Sequence, residues 1–405
     1  MPIQILCPPY VQTVLAALQS AGYQAYIVGG CVRDSLLGRI PADWDVTTSA
    51  LPEQTEQAAA AAGLKTFRTG IKHGTISVLC EGVTVECTTF RIDGDYKDSR
   101  HPESVRFTPS LTEDLARRDF TINAMAAAPD QDGWAIIDPF DGQKDLQAGV
   151  IRCVGNPIKR FGEDALRILR GVRFAARFGF SIEDKTANAM YACAGGLRSI
   201  SRERVREELT GMLKSPDPEG AIKTLKRRGL LKFVFPFADV TASSRGLNQT
   251  PADMPLFRLA YLLYGTPDDA VQKTTADLKM SGMDAGFVRT LLAFRSETLQ
   301  STPLFARQMI AKYGENALPA LALRKAKGED TSALSDAVAE QLACGACVRI
   351  SDLAVKGADL AKVGIPKGRE MGAVLNSLLD RVMLDPLLNQ KDTLLALAKQ
   401  IYKEK

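Results

Sequence analysis

The sequence predicts an α+β fold, with a mixed sheet and helices over residues 1–150 and helices from there to the end. Three observations predict it. Runs rich in β-branched residues, with turn signals between them, are confined to the first part of the chain. Beyond about residue 155, apolar positions recur at helical spacing among abundant Arg, Lys and Glu. The punctuation of the second part, at Ser215-Pro216-Asp217-Pro218, Asn248 to Pro255 and Gly364 to Lys367, is that of breaks between helices.

Taken in order, Val11 to Ala21 carries a helical apolar pattern. Tyr26-Ile27-Val28 is a short apolar strand that runs into Gly29-Gly30, and Val32 to Leu37 begins a helix. Trp44 to Thr48 reads as a strand. Thr75 to Cys80 and Val83 to Phe90 are strands joined by Glu81-Gly82, a hairpin signal. Arg160 to Phe178 reads as one amphipathic helix. The 405 residues suggest two to four domains, with no internal repeat.

Bulk properties exclude more than they assign. Hydrophobic residues make up 45% and charged residues 24%, ample material for buried cores. A net charge of +4 points to nucleic acid only where the charge is clustered. No run approaches the length of a membrane span, and Met1 to Leu18 lacks the layout of a secretory signal. The eight cysteines are therefore expected to be reduced thiols of a cytoplasmic protein. Cys344 and Cys347 form a lone CxxC, without the second pair or histidine that a zinc site needs. With only His73 and His101 in the chain, multi-histidine metal chemistry is excluded.

The residues that carry chemistry begin with Asp43-Trp44-Asp45. On a strand, residues two apart share a face, so the two carboxylates project together while Trp44 and Val46 face a core. Adjacent carboxylates repel unless cations sit between them. Magnesium, which takes few carboxylates and keeps waters and phosphates, suits such a pair; a surface pair of acids is the plainer alternative. Upstream, Tyr26 to Asp34 places a strand, two glycines and a helix start in succession. Glycine permits close approach of a phosphate to the backbone, and Arg33 lies one turn in. The dinucleotide fingerprint G-x-G-x-x-G is absent, which argues against an oxidoreductase. Arg117-Arg118-Asp119 reads either as a solvated helix start or, in a phosphate-handling enzyme, as a nucleotide contact through Arg118.

Within Arg160 to Phe178, one arc holds Phe161, Ala165, Ile168, Leu169, Val172, Ala175 and Ala176. The other holds Glu163, Asp164, Arg167, Arg170, Arg173 and Arg177. That face carries arginine and no lysine, and the planar guanidinium suits phosphates and base edges. Asp164 and Arg167, three apart, form either an ordinary ion pair or a reading edge. Aspartate accepts from an exocyclic amine and arginine donates to a ring nitrogen or carbonyl. Such a pair accepts cytosine and adenine and rejects uracil and guanine.

In order along residues 26–209, VGGCVRD…DWD, FRIDGDYKDSRHP, LARRDFTINAMA, DPFDGQKDLQAGVIRCVG, EDALRILRGVRFAARFGF and RERVREEL resemble the class II tRNA nucleotidyltransferases, the bacterial CCA-adding enzymes and their poly(A) polymerase relatives. The stretch DLAVKGADLAKVGIPKGREMGAVL is similar to the tail of that family. The resemblance implies a palm-like nucleotidyltransferase head (1–150), a neck with the base-reading helix (151–215), a helical body (216–345) and a tRNA-binding tail (346–405). It implies that Asp43 and Asp45 bind magnesium, that Gly30 and Arg33 contact the triphosphate, and that Arg118 contacts the nucleotide. Asp164 and Arg167 become the protein template, with Arg170 and Arg173 as further nucleotide-binding arginines. Arg173 is rotated roughly half a turn from Asp164, which sits awkwardly with that role. Glu86 is a supporting carboxylate beside the Asp43-Trp44-Asp45 strand. The implied reaction is addition of C, C and A from CTP and ATP to the 3′ end of tRNA, with basic residues such as Lys226-Arg227-Arg228 and Lys232 on the RNA. A-only or CC-only addition and poly(A) synthesis are the alternatives. The intact, charged loop from Arg91 to Pro102 favours full addition. A catalytically dead RNA-binding protein is disfavoured because both carboxylates and the template pair are present.

Overall fold

The structure, a computed structural model, describes residues 5–94, 105–131 and 133–403. The chain divides into two compact units, Met1–Pro236 and Phe237–Lys405.

The first unit is built on a seven-stranded sheet whose strands lie side by side in the order 65–70, 75–80, 83–89, 45–48, 25–28, 126–130 and 133–137. Helix α1 (Pro9–Ser20) buries Val11, Val14, Leu15 and Leu18, the stripe its apolar spacing dictates. Strand β1 (Ala25–Val28) leads through Gly29 into α2 (Gly30–Leu36), and the chain returns as β2 (Asp45–Thr48), antiparallel to β1. After α3 (Pro52–Ala61) come β3 (Lys65–Gly70), β4 (Thr75–Cys80) and β5 (Val83–Thr89). The β4–β5 hairpin turns on Glu81 and Gly82, both at positive φ (51° and 79°), the two-residue geometry that matches strand twist. Strand β5 then lies parallel to β2, with Asp45 opposite Glu86.

Strands β6 (Arg91–Asp93) and β7 (Val105–Phe107) form a separate ribbon. Residues 95–104, most of the loop expected to separate full from partial addition, lie outside the described residues. Helix α4 (Leu111–Ala116) follows, capped by Ser110. Strands β8 (Ala126–Asp130) and β9 (Gly133–Ile137) complete the sheet beyond β1. A core cluster of Val28, Phe90, Leu115 and Ala126 ties α4 to the sheet.

Helix α5 (Gly142–Ala148) and β10 (Val150–Ile151) lead into α6 (Pro157–Glu163) and α7 (Leu166–Phe178). The single helix expected from Arg160 to Phe178 is therefore two. Asp164 has extended backbone angles (φ −144°, ψ 104°), and its Oδ1 accepts the Leu166 N–H, so it ends α6 and caps the entry to α7. The apolar arc survives the break. Phe161, Ala165, Ile168, Leu169, Val172 and Ala176 are buried. The all-helical expectation beyond residue 155 also meets one exception, β11 (Ser181–Ile182), parallel to β10. Helices α8 (Asp184–Ala192), α9 (Arg202–Leu213), α10 (Pro218–Arg227) and α11 (Leu231–Val234) finish the unit, with α9 and α10 packed on α7.

The second unit is helical throughout its described elements: α12 (Pro255–Leu262), α13 (Asp268–Asp277), α14 (Gly282–Ala293), α15 (Pro303–Tyr313), α16 (Ala317–Ala326), α17 (Ser332–Ala343), α18 (Gly357–Lys362), α19 (Arg369–Leu384) and α20 (Lys391–Lys403). Val355, Leu360, Val374, Leu378, Leu394 and Ala398 form the core of its C-terminal part. No helix of the described residues is long and apolar enough to cross a membrane.

Candidate active site

Strand parity places the acids as expected. Trp44 and Val46 are buried, whereas Asp43 and Asp45 are exposed. On β5, Val85 and Cys87 are buried while Thr84 and Glu86 face outward. The parallel register brings Glu86 beside Asp45. Asp43, Asp45 and Glu86 line a cleft of about 380 Å³ together with Tyr10, Trp44 and Thr84. Asp45 remains open to solvent as a residue, yet the cleft desolvates its carboxyl and pushes its pKa up, with Arg118 pulling it down and Asp43 adding to the rise. Burial likewise raises Glu86, helped by Asp45 and Asp43. Asp45 and Glu86, both discouraged from ionising, offer oxygen donors of the kind a hard divalent cation takes. Among the described residues no three His, Cys, Asp or Glu side chains form a ready-made metal cage.

The glycine turn beside these acids has a packing reason. Gly29 sits at φ 79°, ψ −120°, and a Cβ there would lie 2.6 Å from Nη1 of Arg118. The bare backbone at Gly29 thus makes room for the Arg118 guanidinium. Arg118 is half-buried. Its Nε has no hydrogen-bond partner among the described residues, and it forms no ion pair there. Burial lowers its pKa against the opposing pull of Asp114. A desolvated, uncommitted cation facing Asp45 is what an incoming polyanion requires.

Arg33 is placed differently from its expected role as an open triphosphate ligand. It is 4% exposed, bonds Asp34 through Nε at 2.8 Å, donates to Asn123 Oδ1, and lies over the rings of Phe174 and Phe178 at 5.3 and 4.9 Å. Asn123 in turn donates to Asp119 Oδ1 at 3.0 Å, and Arg170 Nε donates to Asp119 Oδ2 at 2.7 Å. A buried polar chain therefore runs from α2 to α7. Burial works to raise Asp119, but Arg170 together with Asn123 and Arg167 outweighs it and holds the carboxyl well below the usual range. Gly30 is the first residue of α2, and a Cβ there would lie 3.6 Å from Arg33 Nη2, an ordinary contact distance.

The Arg167 N–H donates to the Asp164 carbonyl at 3.1 Å, while the two side chains take partners elsewhere among the described residues. Arg167 donates to Glu163 Oε2 at 2.9 Å and to the Arg160 and Arg117 carbonyls at 3.4 and 3.2 Å. Asp164 takes Arg204 Nη2 of α9 on Oδ2 at 2.7 Å. Each member of the proposed reading edge is thus held by its own partner, and Asp164 Oδ2 accepts one hydrogen bond among the described residues, leaving a lone pair. Arg173 pairs with Glu208 of α9 at 2.6 Å and packs over Phe174 and against Gly211. That placement fits its half-turn offset and holds α7 to α9.

Arg204, Asp119, Asn123 and Glu208 were missed as organising residues. All four stand inside motifs already quoted, RRDFTIN and RERVREEL. For Arg204 and Glu208 the signal was charge recurring four residues apart on a helix that must face its neighbour.

A mixed-sheet head with paired carboxylates on one strand, a glycine turn beside it and a helical arginine face defines the nucleotidyltransferase class. The poly A polymerase head domain model matches residues 25–152, and the probable RNA and SrmB-binding site of polymerase A matches 179–241. A tRNA nucleotidyltransferase domain 2 (putative) model matches 257–398. The CCA-adding enzyme of Leuconostoc mesenteroides is 35% identical over 394 residues, covering 96% of this chain and 95% of that protein. That of Geobacillus thermodenitrificans is 47% identical over 229 residues, 56% of this chain and 55% of its own. The crystal structure of the Bacillus stearothermophilus CCA-adding enzyme in complex with CTP superposes with a TM-score of 0.82 at 31% identity, covering 98% of this chain and 99% of that one. This chain belongs to the CCA-adding enzyme family.

Proposed function

We propose that the chain completes the 3′ end of tRNA, adding C, C and A from CTP and ATP without a nucleic-acid template and releasing pyrophosphate. The observation that carries this reading is full-length likeness to CCA-adding enzymes together with intact carboxylates and an intact Asp164/Arg167 pair.

In the reaction the primer 3′-hydroxyl oxygen bonds the α-phosphorus of the incoming triphosphate in line with the leaving pyrophosphate oxygen. Asp43 and Asp45, with Glu86 beside them, would hold magnesium, and the chemistry a bound magnesium supplies there is a lowered hydroxyl pKa and neutralised phosphate charge. Arg118, desolvated and uncommitted, takes triphosphate charge. Arg33 stiffens the turn from within, and its triphosphate role acts through the α2 backbone that includes Gly30. Arg170 reaches the nucleotide by way of Asp119, while Arg173 supports the helix. Asp164 accepts from the N4 or N6 amine, and Arg167 donates to the neighbouring ring nitrogen. Glu163 and Arg204 keep these two groups from neutralising each other. The buried, free thiols among the eight cysteines are in keeping with a reducing cytoplasm.

The deciding experiment offers tRNA transcripts ending before CCA, after C and after CC, with each labelled NTP and magnesium. Addition of C, C and A to the shortest transcript followed by a stop is the expected result. Addition of A alone, of C alone, or of long A tails would move the chain to a partial enzyme or a poly(A) polymerase.

A further inference from the structure

The cleft that holds the carboxylates also has neutral walls with no part yet in the reaction. Beside the acids, its 380 Å³ are lined by Tyr10, Ala42, Val83 and Thr84. Two prolines set the first of these. Pro8 is extended (φ −63°, ψ 149°), and Pro9 stands at the first helical position of α1, where its missing N–H costs nothing. Gln12 Nε2 donates to the Cys7 carbonyl at 2.7 Å and clamps the same turn. Tyr10 is therefore held half-buried where α1 packs on β4 and β5. On β5, Thr84 and Glu86 are two apart and share the outward face. The hydroxyls of Tyr10 and Thr84 and the carboxyls of Asp43 and Glu86 make no hydrogen bond among the described residues.

No arginine, lysine or histidine lines this cleft, whereas the Arg118 guanidinium lies against Gly29. The sheet order explains the division. Strand β2 and the residues leading into it carry the aspartates. Strand β1, which ends in the Gly29 turn, flanks β2 on one side, and β5 flanks it on the other. Phosphates are drawn to the arginine side and repelled by a wall of carboxylates. In-line displacement requires the attacking oxygen opposite the leaving pyrophosphate. With pyrophosphate leaving on the β1 side, the attacking oxygen enters from β5. What suits the space there is an uncharged unit rich in hydroxyls, which in a nucleotide chain is the sugar. We propose that the β5 side of the cleft binds the 3′-terminal ribose of the RNA primer, with the Tyr10 ring against the sugar and the Tyr10 and Thr84 hydroxyls bonding its 2′-hydroxyl. The assignment rests on the nucleotide-adding reading above and extends it to selection, since a contact to the 2′-hydroxyl tells ribose from deoxyribose at the primer end. The incoming nucleotide, on the other flank, is not read by these two residues.

The test uses tRNA lacking CCA, prepared with ribose or 2′-deoxyribose at its last nucleotide, and compares kcat/KM for addition of C to each by the full-length chain. Wild type should favour the ribose end. Part of that preference is chemical, because the 2′-hydroxyl acidifies its neighbour, and this part persists in every variant. Tyr10→Phe/Thr84→Val removes two hydroxyls and little volume. It should cut the ribose preference by about ten-fold, the loss of two hydrogen bonds worth roughly three-fold each. Thr84→Ser, which keeps a hydroxyl, should retain more of the preference than Thr84→Val. The preference for CTP over dCTP should hold in all three. An unchanged ribose preference in the double variant overturns the proposal. So does a relaxed preference for CTP over dCTP in its place, since that outcome hands the cleft to the incoming nucleotide. Wild-type protein that makes only partial ends or A tails defeats the CCA reading, and the same ratio still decides the cleft. Protein that transfers nothing defeats the enzymatic reading, and the ratio of Kd values for the two RNAs by fluorescence anisotropy then decides the cleft.

Discussion

Replacing Gly29 by alanine separates the structural demand of the glycine turn from its functional one. The residue holds φ 79°, ψ −120°, outside the regions L side chains adopt, and strain of this kind costs about 1–3 kcal/mol. In a unit of this size each kcal/mol lowers Tm by roughly 2–4 °C, so a fall of about 2–12 °C is expected. The new Cβ would also stand 2.6 Å from Arg118 Nη1. Ordinary carbon contacts lie near 3.5–4.0 Å, so the guanidinium must retreat by about 1 Å. Because it is the far end of a flexible side chain, that retreat adds little to the stability loss. A displacement of this size beside reacting groups costs about 10²-fold in rate. Steady-state kinetics with a tRNA lacking CCA should therefore show kcat/KM for CTP and ATP down by about two orders of magnitude. Arg118→Ala should give a similar loss at nearly unchanged Tm, and the double variant should be no worse than either single one. A Gly29→Ala protein with lowered Tm but wild-type kcat/KM would refute the claim that Arg118 meets the substrate.

The remaining predictions concern the carboxylates, the reading edge and the buried relay. Asp43→Ala should abolish nucleotide transfer while tRNA affinity by anisotropy persists; residual transfer would remove Asp43 from the metal site. Arg167→Ala should admit UTP and GTP, and Arg204→Ala should do so more weakly by releasing Asp164; retained selectivity in single-nucleotide incorporation assays would overturn the protein template. Arg167→Lys should not restore selectivity, because an ammonium cannot reproduce the planar donor fork. Asp119→Asn should destabilise the fold by about 1–3 kcal/mol at neutral pH, since it removes the charge partner of Arg170, whose partly exposed guanidinium water still screens. The folded carboxyl of Asp119 titrates below its unfolded value near 3.9, so this contribution is complete above that pH and fades as pH falls through the folded value. Denaturant melts of wild type and variant should therefore converge in strong acid.

How far the sequence spoke depended on whether an element's reason was local. The β4–β5 hairpin was legible because Glu81-Gly82 states its turn and β-branched residues flank it. The outward face of Asp43 and Asp45 followed from strand parity. Strand β3, Lys-Thr-Phe-Arg-Thr-Gly, sits at a sheet edge with Phe67 exposed, so it lacks the alternation that marks a half-buried strand. Strand β8 is three alanines, a proline and an aspartate, a composition without strand preference; tertiary pairing with β1 and β9 imposes it. Pro129 is tolerated because only Ala126 and Ala127 pair with β1, so its missing N–H is not needed there. The break at Asp164 hid inside an unbroken apolar period, because Asp164 replaces the lost helical bond with its own carboxylate. Partner choice was the least legible layer. Asp164 with Arg204 and Asp119 with Arg170 join residues 40 and 51 positions apart, and only the fold brings them together.

The alternation of Asp43, Trp44 and Asp45 limits how this chain tolerates insertions and deletions. The stretch from Leu37 to Ala42 is a surface connection, and a residue gained or lost there changes only its slack. One residue gained or lost between Trp44 and Val46 reverses which side chains look outward, sending an indole into the cleft and a carboxylate into the core. Two such changes restore the order but shift Asp45 away from Glu86 by one pleat repeat. Length variation in relatives should therefore accumulate upstream of Asp43 and vanish from Asp43 to Thr48, a pattern that selection on the acids alone would not produce.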